Sequence, residues 1–278
     1  MRFFTRVFVA VLAALPLATA YPPELTRSTK EFCQNVPSPE LLALHEKIVN
    51  GDQFTMEKIA QGQKIIEDTL TKRETGELII LDTWFHLVYS SNSTEGGWIT
   101  PERLYDQLDV LNEAFSSSKL AFKLIGTTYS NNASWADQPV KHELAMKTAL
   151  REGDYRTLNL YFVPGIERDG GILGSGQYPL HDGYIGKEVP KMDGCLVSSF
   201  EVTDEGSGNQ GHVAVHEVGH WLGLLHTYEG GCDEKGGDYV DDTPAAEKPR
   251  YTQECNARDT CPDLPGMDLI TNYMDHNK

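Results

Sequence analysis

The chain has 278 residues, 40% of them hydrophobic, and carries 24 Lys and Arg against 41 Asp and Glu, a formal charge of −17. A surface this acidic repels phosphate backbones and anionic lipid headgroups, which excludes nucleic acid and membrane as partners and leaves a globular enzyme or binding protein.

The N-terminus reads as a secretory signal over residues 1–20. Arg2 and Arg6 precede an apolar run from Val7 to Leu17, and Ala18-Thr19-Ala20 has the small-x-small form of a cleavage site. No later stretch approaches the roughly eighteen apolar residues that a membrane span requires, so the product is expected to be secreted and extracellular. Two sequons, at Asn92 and Asn132, are then open to glycosylation.

Residues 21–75 form a separate segment. Pro39 to Val49 reads as an amphipathic helix with Leu41, Leu44 and Ile48 on one face, and Met56 to Leu70 as a second. The dibasic pair Lys72-Arg73 follows, either a processing site or an ordinary exposed charge pair. Residues 21–75 are expected to be a pro-segment, largely released by a cut after Arg73, and 76–278 the catalytic domain.

From Leu78 the chain alternates strands and helices. Leu78 to Tyr89 is β-branched and aromatic and reads as a strand. Thr100-Pro101 starts a helix, with a hydroxyl cap, proline at the first position and a stripe of Leu104, Leu108, Leu111 and Phe115. Leu120 to Tyr129 is a strand, His142 to Arg151 a helix, and Thr157 to Val163 and Gly194 to Val202 are strands. The fold class is therefore α/β (α+β), a twisted sheet backed by helices. Residues 227 to 278, rich in Gly, Asp, Pro and Cys, predict an irregular lower subdomain.

Between the last strand and that subdomain stands His216-Glu217-Val218-Gly219-His220-Trp221-Leu222-Gly223-Leu224-Leu225-His226. Positions i and i+4 of a helix lie one above the other, so His216 and His220 can present ring nitrogens to one metal ion. Gly223 has no Cβ and can take the left-handed conformation that ends a helix, letting the chain reverse and deliver His226. Three imidazoles leave one tetrahedral position open for water, the arrangement of a catalytic Zn2+. With 9 His and 25 Gly in the chain, a shuffled sequence would contain the whole pattern on the order of once in ten thousand trials. Zinc lowers the pKa of bound water toward about 7, and Glu217, beside the first ligand, is placed to act as general base.

The long zinc motif followed by Asn272-Tyr273-Met274-Asp275 resembles the metzincin clan of zinc peptidases. Within it, Gly219 to Thr227, Gly230-Gly231-Cys232, Asp242-Thr243-Pro244-Ala245 and Arg258-Asp259-Thr260-Cys261 look like the pappalysin family, closest to the small secreted metalloproteases of fungi. The resemblance implies a metzincin-like catalytic domain hydrolysing protein or peptide substrates, expected as a monomer. It implies a methionine turn in which Met274 packs beneath the histidines without ligating. It also implies a disulfide between Cys232 and Cys261. Cys255 would pair beyond the turn, and the sequence ends before such a partner, so the catalytic domain is read as truncated at its C-terminus. Relatives carry a tyrosine two residues after the turn methionine that stabilises the oxyanion; here that candidate is His276, which could donate when protonated.

Cys33 lies in the presumed pro-segment, where metzincin relatives place a thiolate that caps the zinc. The surrounding Glu31-Phe32-Cys33-Gln34 lacks the glycine and arginine usual there, so a disulfide with Cys195 and an uncommitted thiol stand beside the capping role. Asp238, Asp241 and Asp242 are candidate Ca2+ ligands, the other reading being a solvated polar loop. The favoured function is a secreted zinc endopeptidase. The alternative is a catalytically impaired secreted zinc-binding protein, made possible by the missing C-terminal segment.

Overall fold

The computed structural model describes residues 31–33, 35–49, 78–166, 171–179, 191–203, 210–233, 237–249 and 256–276. The second helical stretch of the 21–75 segment, the dibasic pair, the signal and Cys255 lie outside them. One twisted sheet of six strands organises these residues, in the order β1-β5-β6-β4-β2-β3. The strands are β1 (Glu31–Cys33), β2 (Ile79–Tyr89), β3 (Leu120–Asn131), β4 (Leu158–Val163), β5 (Ile172–Gly176) and β6 (Cys195–Ser198). β3, β2, β4 and β6 run parallel, β5 pairs antiparallel to β6, and β1 joins the outer edge of β5 in parallel.

β4 is buried along its whole length, the pattern of a central strand covered on both faces. Its side chains alternate as a pleated strand requires. Leu158, Leu160 and Phe162 join the core beneath α2 (Pro101–Phe115) and α5 (His212–Trp221). Tyr161 and Val163 point the other way, into a smaller core with Ala136 and Met146 from α3 (Ala133–Asp137) and α4 (Pro139–Leu150). The expected cap is present, since Thr100 accepts a hydrogen bond from Arg103 N ahead of Pro101. Leu104, Leu111 and Phe115 are buried as the stripe predicts, and Leu108 packs partly buried beside them. In the 21–75 segment the helix α1 (Pro39–Val49) has the expected bounds.

Some elements depart from the sequence reading. The helix expected from His142 begins at Pro139. The strand expected over Gly194–Val202 is confined to Cys195–Ser198, because Ser198 Oγ accepts Phe200 N and turns the chain into a 3-10 segment. β1 and β5 are additional. β5, Ile-Leu-Gly-Ser-Gly, reads as a loop by composition, since glycine is depleted in strands, yet it is the strand on which the next site depends. Among the described residues no helix is long and apolar enough to cross a membrane.

Candidate active site

α5 starts at Gly211, whose φ of 72° suits glycine. A Cβ there would stand 2.6 Å from Gln107 Oε1, and Gln107 Nε2 donates to Gly211 O at 3.0 Å, fastening the helix start to α2. Every residue from Val213 to His220 is buried. The helix ends where the spacing predicts: Gly223 has φ +96°, and Leu224 N donates back to Gly219 O at 2.9 Å. The chain reverses and His226 arrives, its Nε2 lying 3.1 Å from that of His220; His216 and His220 have their Nε2 atoms 2.9 Å apart.

The hydrogen bonds fix the tautomers of two of these rings. His216 Nδ1 donates to Tyr273 O at 2.6 Å, and His220 Nδ1 donates to Leu224 O at 2.8 Å. Both Nε2 atoms are therefore bare lone pairs, and burial holds both rings well below the usual histidine pKa. Lone pairs facing each other at this distance repel unless a cation lies among them. A zinc ion bonded to each nitrogen at roughly 2.0–2.1 Å holds tetrahedral ligand atoms about 3.3 Å apart, close to the spacing found here. The donor set fits zinc. A fourth apex is also supplied: Cys33 Sγ lies 3.2, 3.5 and 3.1 Å from the Nε2 atoms of His216, His220 and His226. Among the described residues this is the one group of His, Cys, Asp and Glu side chains close enough to hold a metal ion.

Glu217 is fully buried beside this group. Burial pushes its carboxyl well above the ordinary range, opposed by hydrogen bonds from the Gly176 backbone and the Asn35 amide. Glycine in β5 lets the helix come this close. A Cβ on Gly174 would meet Glu217 Oε1 at 2.5 Å, and one on Gly176 would meet the Glu217 carbonyl oxygen at 2.3 Å. Met274 lies beneath the helix at Gly219, where a Cβ would stand 2.4 Å from its Sδ. The turn is tied from both sides: Asn272 Oδ1 accepts Met274 N at 2.8 Å, and Thr227 N donates to Met274 O at 3.2 Å.

His276 reaches the same centre, with its Nε2 3.1 Å from that of His226 and 3.5 Å from Cys33 Sγ. Its expected role as a protonated donor meets an obstacle, since burial and the neighbouring imidazoles push its pKa far below the usual value. Tyr228 Oη lies 2.9 Å from its Nε2. The Cys33–Cys195 disulfide is likewise ruled out: neither thiol is bridged, and Cys195 Sγ instead donates to Glu217 O at 3.4 Å. The disulfide between Cys232 and Cys261 is present.

Among the described residues the acidic loop offers no group of carboxylates close enough together to hold a metal ion. Asp238 is buried and accepts Val240 N at 3.0 Å, whereas Asp241 and Asp242 are exposed. Asn92 is exposed on a turn, and Asn132 is part-buried with its side chain accepting Trp135 N. Sequence spacing gives no signal for three further groups around the centre. Asn35 donates to Glu217 Oε2 at 3.2 Å. Tyr178 stacks edge-on against His220 at 5.0 Å, its hydroxyl buried without a partner among the described residues. Asp193 accepts Trp221 Nε1 at 2.9 Å and Arg151 at 2.7 Å, bracing the end of α5.

Comparison with known proteins gives the family of the chain. The family model described as pregnancy-associated plasma protein-A matches residues 151–278. An extracellular metalloprotease of Pyricularia oryzae is 40% identical over 250 residues, 89% of this chain and 82% of that one. Another, from Podospora anserina, is 36% identical over 100% of this chain and 90% of its own. Extracellular metalloprotease 1 of Coccidioides posadasii is 38% identical over 98% and 90%. Among solved structures, a promirolysin mutant of Tannerella forsythia shares the fold with a TM-score of 0.56 at 22% identity, covering 88% of this chain and 87% of that one. With relatives of this identity spanning nearly its whole length, the chain belongs to the pappalysin family of metalloproteases.

Proposed function

We propose that the chain is a secreted zinc endopeptidase and that the described arrangement is its latent form. His216, His220 and His226 hold the ion through Nε2, and the carbonyls of Tyr273 and Leu224 orient two of the rings through Nδ1. When bound, zinc acidifies a water molecule and polarises the carbonyl of the scissile peptide. Glu217 takes the proton of the attacking water and passes it to the departing amine. Its Oε1 is buried and accepts no hydrogen bond among the described residues, so a lone pair is available for that proton. Met274 supports the floor of the site. The substrate is protein or peptide, consistent with the names of the fungal relatives, and the N-terminal signal together with those names supports secretion.

Residues 21–75 act as the pro-segment. Cys33 sits where a water would have to enter, and β1 covers the free edge of β5, where an extended peptide could pair by strand addition. The observation that carries the reading is the convergence of three Nε2 atoms with Glu217 adjacent. Glu217→Gln tests it: bound zinc should stay at one per chain while casein hydrolysis by the activated protein falls at least about a thousandfold. Undiminished hydrolysis would remove Glu217 from the chemistry. Zinc binding without hydrolysis in the parent, even after removal of residues 21–73, would leave only a zinc-binding protein.

A further inference from the structure

Cys33 is not the only side chain of the N-terminal segment that reaches the catalytic centre. Two positions further on, Asn35 inserts its carboxamide between β5 and α5. Asn35 Nδ2 donates to Gly176 O at 2.9 Å and to Glu217 Oε2 at 3.2 Å, and its Oδ1 accepts from Ser175 Oγ at 3.2 Å. Two acceptors and one donor face a group that carries two N–H donors and one acceptor. The orientation of the amide follows from its partners, because a flipped amide would turn its oxygen toward the Gly176 carbonyl and the Glu217 carboxylate. A carboxylate would do the same with either oxygen.

We propose that Ser175 Oγ, Gly176 O and Glu217 Oε2 form a notch selective for a primary carboxamide, and that Asn35 fills it as a second lock of the latent chain. The inference rests on the reading of Cys33 as the capping thiol, and it adds a distinct target. Cys33 occupies the apex above the three histidines, while Asn35 ties up one oxygen of the general base. Each lock raises the occupancy of the other, since both sit on one short stretch of chain.

The test uses the full chain loaded with zinc, with the alkylation rate of Cys33 by iodoacetamide read by mass spectrometry. Hydrogen bonds to a charged group are worth about 1.5–3 kcal/mol, so Asn35→Ala should raise the alkylation rate roughly tenfold or more. Asn35→Asp should exceed it, because it sets a carboxylate against two acceptors. Ser175→Ala removes the notch's own donor and should act in the same direction, with the Asn35→Ala and Ser175→Ala effects clearly non-additive. Equal alkylation rates in the parent and all three variants, or strictly additive effects, would overturn the notch. Cys33→Ser separates this from the underlying reading: if it fails to raise proteolysis, capping by Cys33 is wrong. If it does raise proteolysis while the Asn35 variants leave thiol reactivity unchanged, only the second lock is wrong.

Discussion

At the residue scale the site depends on small atoms being absent as much as on ligands being present. Gly176→Ala would place a Cβ 2.3 Å from the Glu217 carbonyl oxygen, with backbone on both sides and no flexible end to yield. We expect a loss of about 1–3 kcal/mol of stability and a displaced α5, visible as a lower melting temperature together with weaker zinc affinity. Cys33→Ser should release activity, because a hydroxyl is a poor substitute for a thiolate at the apex. Zinc absorption spectroscopy on the parent chain should find one sulfur at about 2.3 Å beside three nitrogens at roughly 2.0–2.1 Å, the sulfur vanishing in the variant. An all-nitrogen environment in the parent would contradict capping.

At the level of elements, α5 is held at its far end by a buried charge. Asp193 is 2% exposed and joins Arg151, after α4, to Trp221, the last residue of the zinc helix. Asp193→Ala takes the counter-charge from a mostly buried guanidinium that keeps only the carbonyls of Glu152, Gly153 and Asp154, and should destabilise the protein by about 1–3 kcal/mol, measured by chemical denaturation. The acidic loop makes a pH prediction. Burial raises the Asp238 carboxyl to about 7. Its folded value lies above its unfolded one, so the stability linked to this group is full below about pH 4 and is lost as pH rises through 7. In calcium-free buffer melting should therefore fall from pH 5 to pH 8, and Asp238→Asn should remove much of that slope. A parent chain without the slope would mean that Asp238 is ionised at no cost.

What the sequence made legible at these two scales follows from range. The histidine trio, the helix end at Gly223 and the cap at Thr100 are local, set by spacing within a dozen residues. The partnership of Cys232 with Cys261 came from family resemblance. Asn35, Tyr178 and Asp193 gave no signal, because each acts across more than twenty residues of intervening chain. β5 was hidden for a different reason: the glycines that make it look like a loop are those that admit Glu217. β1 is three residues long and exists only through its edge pairing with β5.

For the molecule as a whole, the arrangement is a sheet in which the N-terminal segment adds β1 along the edge of β5, opposite the β3 edge, followed by a region after α5 that is stapled by the Cys232–Cys261 disulfide. Arg258 links the stapled region to the methionine turn, bonding Asp268 at 2.6 Å and lying 3.6 Å from Asp275. The central claim is that this sheet and helix support zinc-dependent peptide hydrolysis once the apex is cleared. The direct test is casein hydrolysis by the Cys33→Ser chain before chelation, after chelation and after zinc is returned. We predict hydrolysis that is abolished by the chelator and restored by about one equivalent of zinc. Hydrolysis indifferent to the chelator, or none from the zinc-loaded variant, would contradict the account.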